Sequence, residues 1–146
     1  MTRDEILEFF ARQQQAWIGR NPDALAAGHA EDGTLVSPIF GTLQGRAAIL
    51  NSYRSLFQVF PDWTYTGEPL LVDIDRAAEP FSVTATHVGT FMGLEGTGRR
   101  FNLQGIRLFD MRDGAIGHER RYYDFTGLLI QLGILRSKPA RPIAGA

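Results

Sequence analysis

"RFNLQGIRLFDMRDGAIGHERRYYDFTGLLIQLG", residues 100–133, is the stretch whose reading decides the fold. Apolar and polar residues alternate up to "MRDG", then alternate again through "AIGHERRYYDF", which is the period of two expected of strands. Asp-Gly between two such runs is a hairpin signal. "TGLLIQLG" changes to helical spacing and stops at a glycine. The segment therefore predicts strand, tight hairpin, strand and short closing helix. Its second strand is unusual, because His118 to Tyr122 all carry charges or polar tips and Asp124 follows among aromatics and leucines. A strand polar on both faces sets one face to solvent and one to a polar pocket, or lies exposed, or joins a subunit interface.

Strand alternation puts Ile116, His118, Arg120, Tyr122 and Asp124 on one side and Gly117, Glu119, Arg121, Tyr123 and Phe125 on the other. If "RDG" is a three-residue loop with Gly114 left-handed, Met111 faces Ala115 and Arg107 faces Glu119, a favourable cross-strand pair. A two-residue turn would instead set Arg107 against Arg120. In the three-residue register, Asn102, Gln104, Ile106 and Leu108 share a face with His118, Arg120, Tyr122 and Asp124. That face is apolar with convergent polar groups, so it is expected to line a ligand cavity, with Glu119, Arg121 and Tyr123 outward.

Upstream, "TRDEILEFFARQQQAWIG" predicts a helix opened by a Thr2–Glu5 capping box, with Ile6, Phe10, Gln13 and Trp17 on one stripe. "NPDALAAG" restarts a helix with Asn21 as cap, Pro22 at its first position and Gly28 as its stop. "DGTLVSP" reads as a short strand. "GRAAILNSYRSLFQVFPD" predicts a third helix, ended by Pro61. Beyond Pro61 the period changes to two, and four strands are expected. Helices first and an antiparallel sheet afterwards is the α+β arrangement, with helices covering one face of a strongly bent sheet. Residues 1–135 then form a single domain and 136–146 a flexible C-terminal tail.

The 146 residues include 44% hydrophobic and 21% charged residues, enough for one packed core. A net charge of −1 gives no electrostatic reason to expect nucleic acid or an anionic membrane as partner. Fourteen of the fifteen basic residues are arginine, a usage that base composition of the genome explains as readily as function. Without cysteine, disulfides and thiolate chemistry are excluded. Three histidines without metal-ligand spacing make a metal site an unfavoured reading. The N-terminus lacks signal-peptide character and no apolar run reaches membrane length, so a cytoplasmic setting is expected.

Asp124 is the first candidate for chemistry. Among Phe125, Tyr123 and Leu128 it would be desolvated, the condition under which a carboxyl exchanges protons near neutral pH. Its structural alternative is to cap the helix of "FTGLLIQL". His118 and Arg120 could polarise a carbonyl or belong to an ion-pair lattice with Glu119. Tyr122, Asn51, Asn102, Gln104, His87, Trp17 and Trp63 complete the candidates for substrate binding, each with a plainer reading as core, strand or exposed residue. "GLEGTGRR" has phosphate-loop glycines but precedes a strand, so it reads as a hairpin loop.

"THVGTFMGLEGTGRRFNLQGIRLFDMRDGAIGHERRYYDFTGLLIQLG" resembles the SnoaL-like polyketide cyclases of the nuclear transport factor two-like superfamily. The family's hairpin "TGR", its "RDG" turn and an aspartate before "GLLxQLG" all have counterparts here; "FPDW" and "NPDALAAGHAEDGTLVSP" add to the likeness, which covers residues 5 to 135. The resemblance implies a cone-shaped α+β barrel around a deep pocket, often in a homodimer or tetramer. It also implies metal- and cofactor-free aldol chemistry with Asp124 as the acid and base. The chain departs from the pattern at Arg120, where the family has tryptophan, and at Asp110 and "LEGTG". The resulting expectation is a cofactor-independent acid/base enzyme acting on a small hydrophobic carbonyl compound by cyclisation, isomerisation or dehydration. The alternative is a non-catalytic binding or interaction module.

Overall fold

The computed structural model describes residues 1–136 and 138–144. Eleven elements follow in order: α1 (Arg3–Ile18), α2 (Pro22–Ala27), β1 (His29–Ser37), β2 (Gly41–Gln44), α3 (Arg46–Val59), β3 (Thr64–Gly67), β4 (Leu71–Asp73), β5 (Arg76–Thr86), β6 (Arg100–Arg112), β7 (Ala115–Tyr123) and α4 (Phe125–Gln131). The expected α+β architecture is the one observed.

Local signals act where they were read. The Thr2 side chain accepts from the Glu5 N–H and Glu5 answers to the Thr2 backbone, closing the capping box of α1. Asn21 accepts from the Ala24 N–H and Pro22 opens α2. Ile49, Ser52, Tyr53 and Leu56 are the buried positions of α3, a spacing of three and four that turns one stripe to the sheet. Phe60, before Pro61, caps that helix.

The sheet has the order β2-β1-β7-β6-β5-β3, with β4 added to β5. All pairs are antiparallel except β1 with β7, which run parallel. Two differences from the sequence reading lie at the edges. β2 is an unpredicted short strand, and "WTYTGEPLLVDID" divides into β3 and β4 around the break at Glu68–Leu70. Pro69 cannot donate to a ladder, so a continuous strand is interrupted there.

One face of this bent sheet is covered by the helices. The larger core joins Trp17, Leu25, Leu35, Tyr53, Phe60 and Trp63 to Tyr65, Phe81, Val83, Phe101 and Leu103. A smaller one under the start of α1 joins Ile6, Phe9 and Phe10 to Phe109, Met111 and Ile116. Between the two cores the buried face of the sheet carries charge: Glu79, Arg107 and Glu119 are all buried. Beyond α4, residues 134–136 and 138–144 contain no helix or strand. No helix among the described residues is long and apolar enough to cross a membrane.

Candidate active site

The β6–β7 hairpin determines which side chains reach the interior. Arg112 pairs with Ala115 around a two-residue Asp113–Gly114 turn, whose φ values of +50° and +78° are those of a type I′ hairpin. The register then shifts between Asp110 and Met111: Met111 faces Ile116 but Asp110 faces His118, leaving Gly117 as an extra residue. Arg107 consequently faces Arg121, rather than the expected Glu119.

The bulge corrects the expected pocket face. Because Gly117 is inserted, Ile116 and Glu119 lie on the same side of β7, and both are fully buried. Core residues of β6 are Phe101, Leu103, Arg107, Phe109 and Met111, so the interior belongs to the odd-numbered positions. Glu119, Arg121 and Tyr123 point inward, and His118, Arg120 and Tyr122 outward. From His118 onward the grouping of residues by face was legible, but Ile116 was assigned to the wrong set and the choice of inner face was inverted, because Ile116 marks the core face only as far as the bulge.

An ion-pair cluster forms where these inward side chains meet. Arg107 grips Glu119 with two parallel bonds, Nε to Oε2 at 3.0 Å and Nη2 to Oε1 at 3.1 Å. Arg121 Nε donates to the same carboxylate at 2.5 Å, and its Nη2 to the Tyr53 hydroxyl at 2.9 Å. On its other side Arg107 Nη1 reaches the Tyr65 hydroxyl at 3.1 Å and Glu79 Oε1 at 3.4 Å, while Tyr65 donates to Glu79. The Arg107 guanidinium also lies over Phe109 at 4.7 Å and Trp17 at 5.2 Å. Burial alone would neutralise Glu119, but Arg107 and Arg121 overcome it and hold the carboxyl well below its usual range. Burial also lowers His29, 3.3 Å from the Tyr53 hydroxyl, to about 4, so it stays neutral inside the cluster.

Above the cluster is a narrow cavity with about 20 Å³ of free space. Trp17, Ile39, Phe40, Leu56, Trp63, Tyr65, Phe81, Leu103, Arg107, Arg121 and Tyr123 line it. One wall is a flat aromatic stack: Trp17 lies parallel to Tyr65 at 4.5 Å, and Tyr65 to Phe81 at 5.3 Å. Tyr123 is fixed by the Ile39 N–H, which donates to its hydroxyl at 3.2 Å.

Of the residues expected to bind substrate, Trp17 and Trp63 line this cavity. The others do not. His118, on the outer sheet face, is hydrogen-bonded to Thr34, and Tyr122 is 54% exposed. Arg120 shares that outer face, opposite Leu108. Asn51 is on the exposed side of α3, because Ile49, Ser52 and Tyr53 take the buried stripe. Asn102 and Gln104 are exposed even-numbered positions of β6, and the Asn102 backbone is joined to the Gln131 side chain in both directions. His87 is buried outside the cavity, against Phe60 and Phe91, with Nδ1 3.1 Å from the Thr97 hydroxyl. Asp124 is exposed and accepts from the Gly127 N–H at 2.9 Å, so it is the N-cap of α4; it does not face this cavity, but with Asn102, Gln104 and Gln131 it lines a separate outer recess. Arg107, Arg121, Tyr65 and Tyr123, which line the cavity, were not among the expected site residues. Their one sequence signal is a period-two series of core residues on β6 into which an arginine intrudes.

Comparisons with known proteins agree with this architecture. The sequence model of the SnoaL-like polyketide cyclases matches residues 8–132. Aklanonic acid methyl ester cyclase DnrD of Streptomyces peucetius is 43% identical over 47 residues, 32% of each chain, and AcmA of Streptomyces galilaeus is matched over 33% of its length. The alignments thus span about a third of these curated relatives. Among solved structures, TsrD from Streptomyces laurentii superposes with a TM-score of 0.80 at 23% identity, covering 92% of this chain and 99% of that one. AclR from Streptomyces galilaeus, provisionally assigned as a hydroxylase, gives 0.80 at 23%, covering 94% and 91%. With a matching sequence model over most of its length and this fold, the chain belongs to the SnoaL-like polyketide cyclase family.

Proposed function

We propose that the protein is a cofactor-independent enzyme that forms and consumes an enolate of a hydrophobic carbonyl compound in the Trp17–Tyr65–Phe81 cavity. The observation that carries this reading is the Arg121 guanidinium on the cavity wall. Arg121 spends Nε and Nη2 on Glu119 and Tyr53, leaving Nη1 without a protein partner among the described residues. The Tyr123 hydroxyl beside it is engaged by the Ile39 N–H and by the Ser37 side chain. Donors held rigidly in an apolar site stabilise an oxygen on which negative charge develops.

In this reading the carbon-bound proton passes to the Tyr65 oxygen as the Tyr65 hydroxyl proton passes to Glu79. The electron pair remains on the substrate oxygen, facing Arg121. Ring closure, isomerisation and dehydration each begin from that enolate. Tyr65 lies on the cavity wall and already donates to Glu79, whereas Asp124 caps α4 on the outside. Deuterium uptake by 2-acetonaphthone in heavy water tests the assignment. Exchange above background that disappears in Tyr65→Phe and persists in Asp124→Asn supports it. Loss of exchange in Asp124→Asn with retention in Tyr65→Phe returns the proton to Asp124, and no exchange at all favours a non-catalytic binding module.

A further inference from the structure

We infer that the Pro38–Phe40 turn is a gate. It divides the narrow cavity from an adjoining apolar chamber that opens on the surface, and it swings aside to admit a ligand. The gate rests on the enolate reading for the identity of the site and adds how that site is reached.

As it stands, the narrow cavity is too small for a substrate. Its 20 Å³ of free space has room for about one water molecule and for no organic compound. Beside it lies a chamber with about 160 Å³ of free space, on the scale of the apolar cavities of about 150 Å³ that take up benzene. Val59, Phe60 and Phe91 line that chamber, and it reaches the surface at Thr90 and Met92. The two spaces share Ile39, Phe40 and Leu56. These three side chains are the partition between them.

Only part of this partition is free to move. Leu56 is fixed on the buried stripe of α3. Ile39 and Phe40 are partly exposed and lie outside helix and strand. Trp63 is the other lining residue outside helix and strand, but it is buried, and Arg20 Nε donates to its carbonyl at 2.7 Å. The Pro38–Phe40 turn joins β1 to β2, a four-residue strand at the edge of the sheet. Its N–H groups are bonded to side chains: Ile39 donates to the Tyr123 hydroxyl at 3.2 Å and Phe40 to Ser37 Oγ at 3.1 Å. Segments with few buried contacts and few backbone bonds are those that open locally while the fold stays intact.

The turn also has a pivot. Gly41, directly after it, has φ +66°, and a Cβ added there would meet no atom within 4 Å. Glycine adopts either sign of φ at little steric cost, and the open surroundings leave rotation unobstructed. Pro38, at the other end, has its φ fixed by the ring, which concentrates the movement at Gly41. With the turn swung out, Ile39 releases Tyr123, and chamber and cavity become one space. The way in then runs past Phe40, Phe60 and Phe91, a path that suits a hydrophobic compound and disfavours a charged solute.

The chain has no cysteine, so a single engineered thiol reports access without background. Leu103 lines the narrow cavity but not the chamber, and Leu25, buried in the same core, lines neither. Leu103→Cys and Leu25→Cys are reacted with methyl methanethiosulfonate, in buffer and in urea below the unfolding transition. Leu103→Cys is expected to react at least about tenfold faster than Leu25→Cys, at a rate that urea scarcely changes, because a local opening exposes little surface. Adding Phe40→Ala should widen the ratio of the two rates. Equal rates, rates that climb together with urea, or a ratio that Phe40→Ala leaves unchanged overturn the gate. If either cysteine variant fails to fold, acrylamide quenching of Trp17 and Trp63, the chain's two tryptophans and both on the cavity wall, decides instead. Quenching should be stronger in Phe40→Ala than in wild type, and equal quenching overturns the gate. Neither measurement needs turnover. Absence of deuterium exchange into 2-acetonaphthone therefore defeats only the enolate reading, and absence of preferential labelling or quenching defeats only the gate.

Discussion

Arg107 and Arg121 face each other across the β6–β7 pair, two guanidinium groups on the same buried sheet face held by the single carboxylate of Glu119. Like charges directly opposite one another repel. Here the repulsion is relieved because Glu119, two residues before Arg121 and on the same face, lies diagonally from Arg107. Charges so buried are stable only as a complete set.

Removing one member therefore costs more than an exposed pair would. Glu119→Gln preserves shape but leaves two buried cations short of an anion, and is expected to destabilise the fold by about 3–5 kcal/mol. Urea unfolding checks this. By comparison, Arg54→Gln, which breaks the exposed pair with Asp23, should move stability by less than about 1 kcal/mol.

Acid should weaken the fold from pH 6.5 downward. His29 has its folded pKa lowered to about 4, first by burial and then by Arg121 and Arg107, with Glu119 opposing. The unfolded chain binds the proton at the ordinary value of 6.5, so it holds more protons than the native state between 6.5 and 4. Stability is complete above that window and falls by up to about 3 kcal/mol across it. Glu119, also lowered, adds a loss in the same direction below its unfolded value of 4.5. In His29→Gln, urea midpoints measured against pH should lose the portion between 6.5 and 4.5 and retain the acidic portion.

Asp124 offers a clean separation of cap from chemistry. Asp124→Ala leaves the Gly127 N–H without its acceptor and should cost about 1 kcal/mol, while Asp124→Asn, an equally good cap, should be nearly neutral. Thermal unfolding of the two variants distinguishes these outcomes.

Gly105 is the position where backbone geometry supports the cavity wall. A Cβ added there would stand 2.4 Å from the Tyr122 carbonyl oxygen and 2.8 Å from Phe81 Cζ. Gly105→Ala should therefore displace Phe81 from the aromatic slab and cost roughly 1–3 kcal/mol. Near-ultraviolet circular dichroism of the aromatic stack together with urea unfolding checks this, and an unchanged spectrum would contradict it.

Caps, stops and periods were read correctly because they act over three or four residues. Thr2 with Glu5, Asn21 with Pro22, and the change of period after Pro61 each need only their own neighbours. The hairpin turn was harder, since two-residue and three-residue loops compete at "RDG" and like-charge opposition argued against the shorter one. Arg107 opposite Arg121 is acceptable only once Glu119 and Glu79 are in place around it, and Glu79 comes from another strand.

The amino-acid sequence by itself determined the α+β element order, the helix boundaries and the alternation of β7 from His118 onward. Tertiary structure alone decided which set faces the interior. The physical reason is the bulge at Gly117. It shifts the alternation by one residue, so that Ile116 and Glu119 enter the interior together. Arg121 and Tyr123 reach the cavity for that reason, while His118, Arg120 and Tyr122 stay outside and Asp124 remains a helix cap.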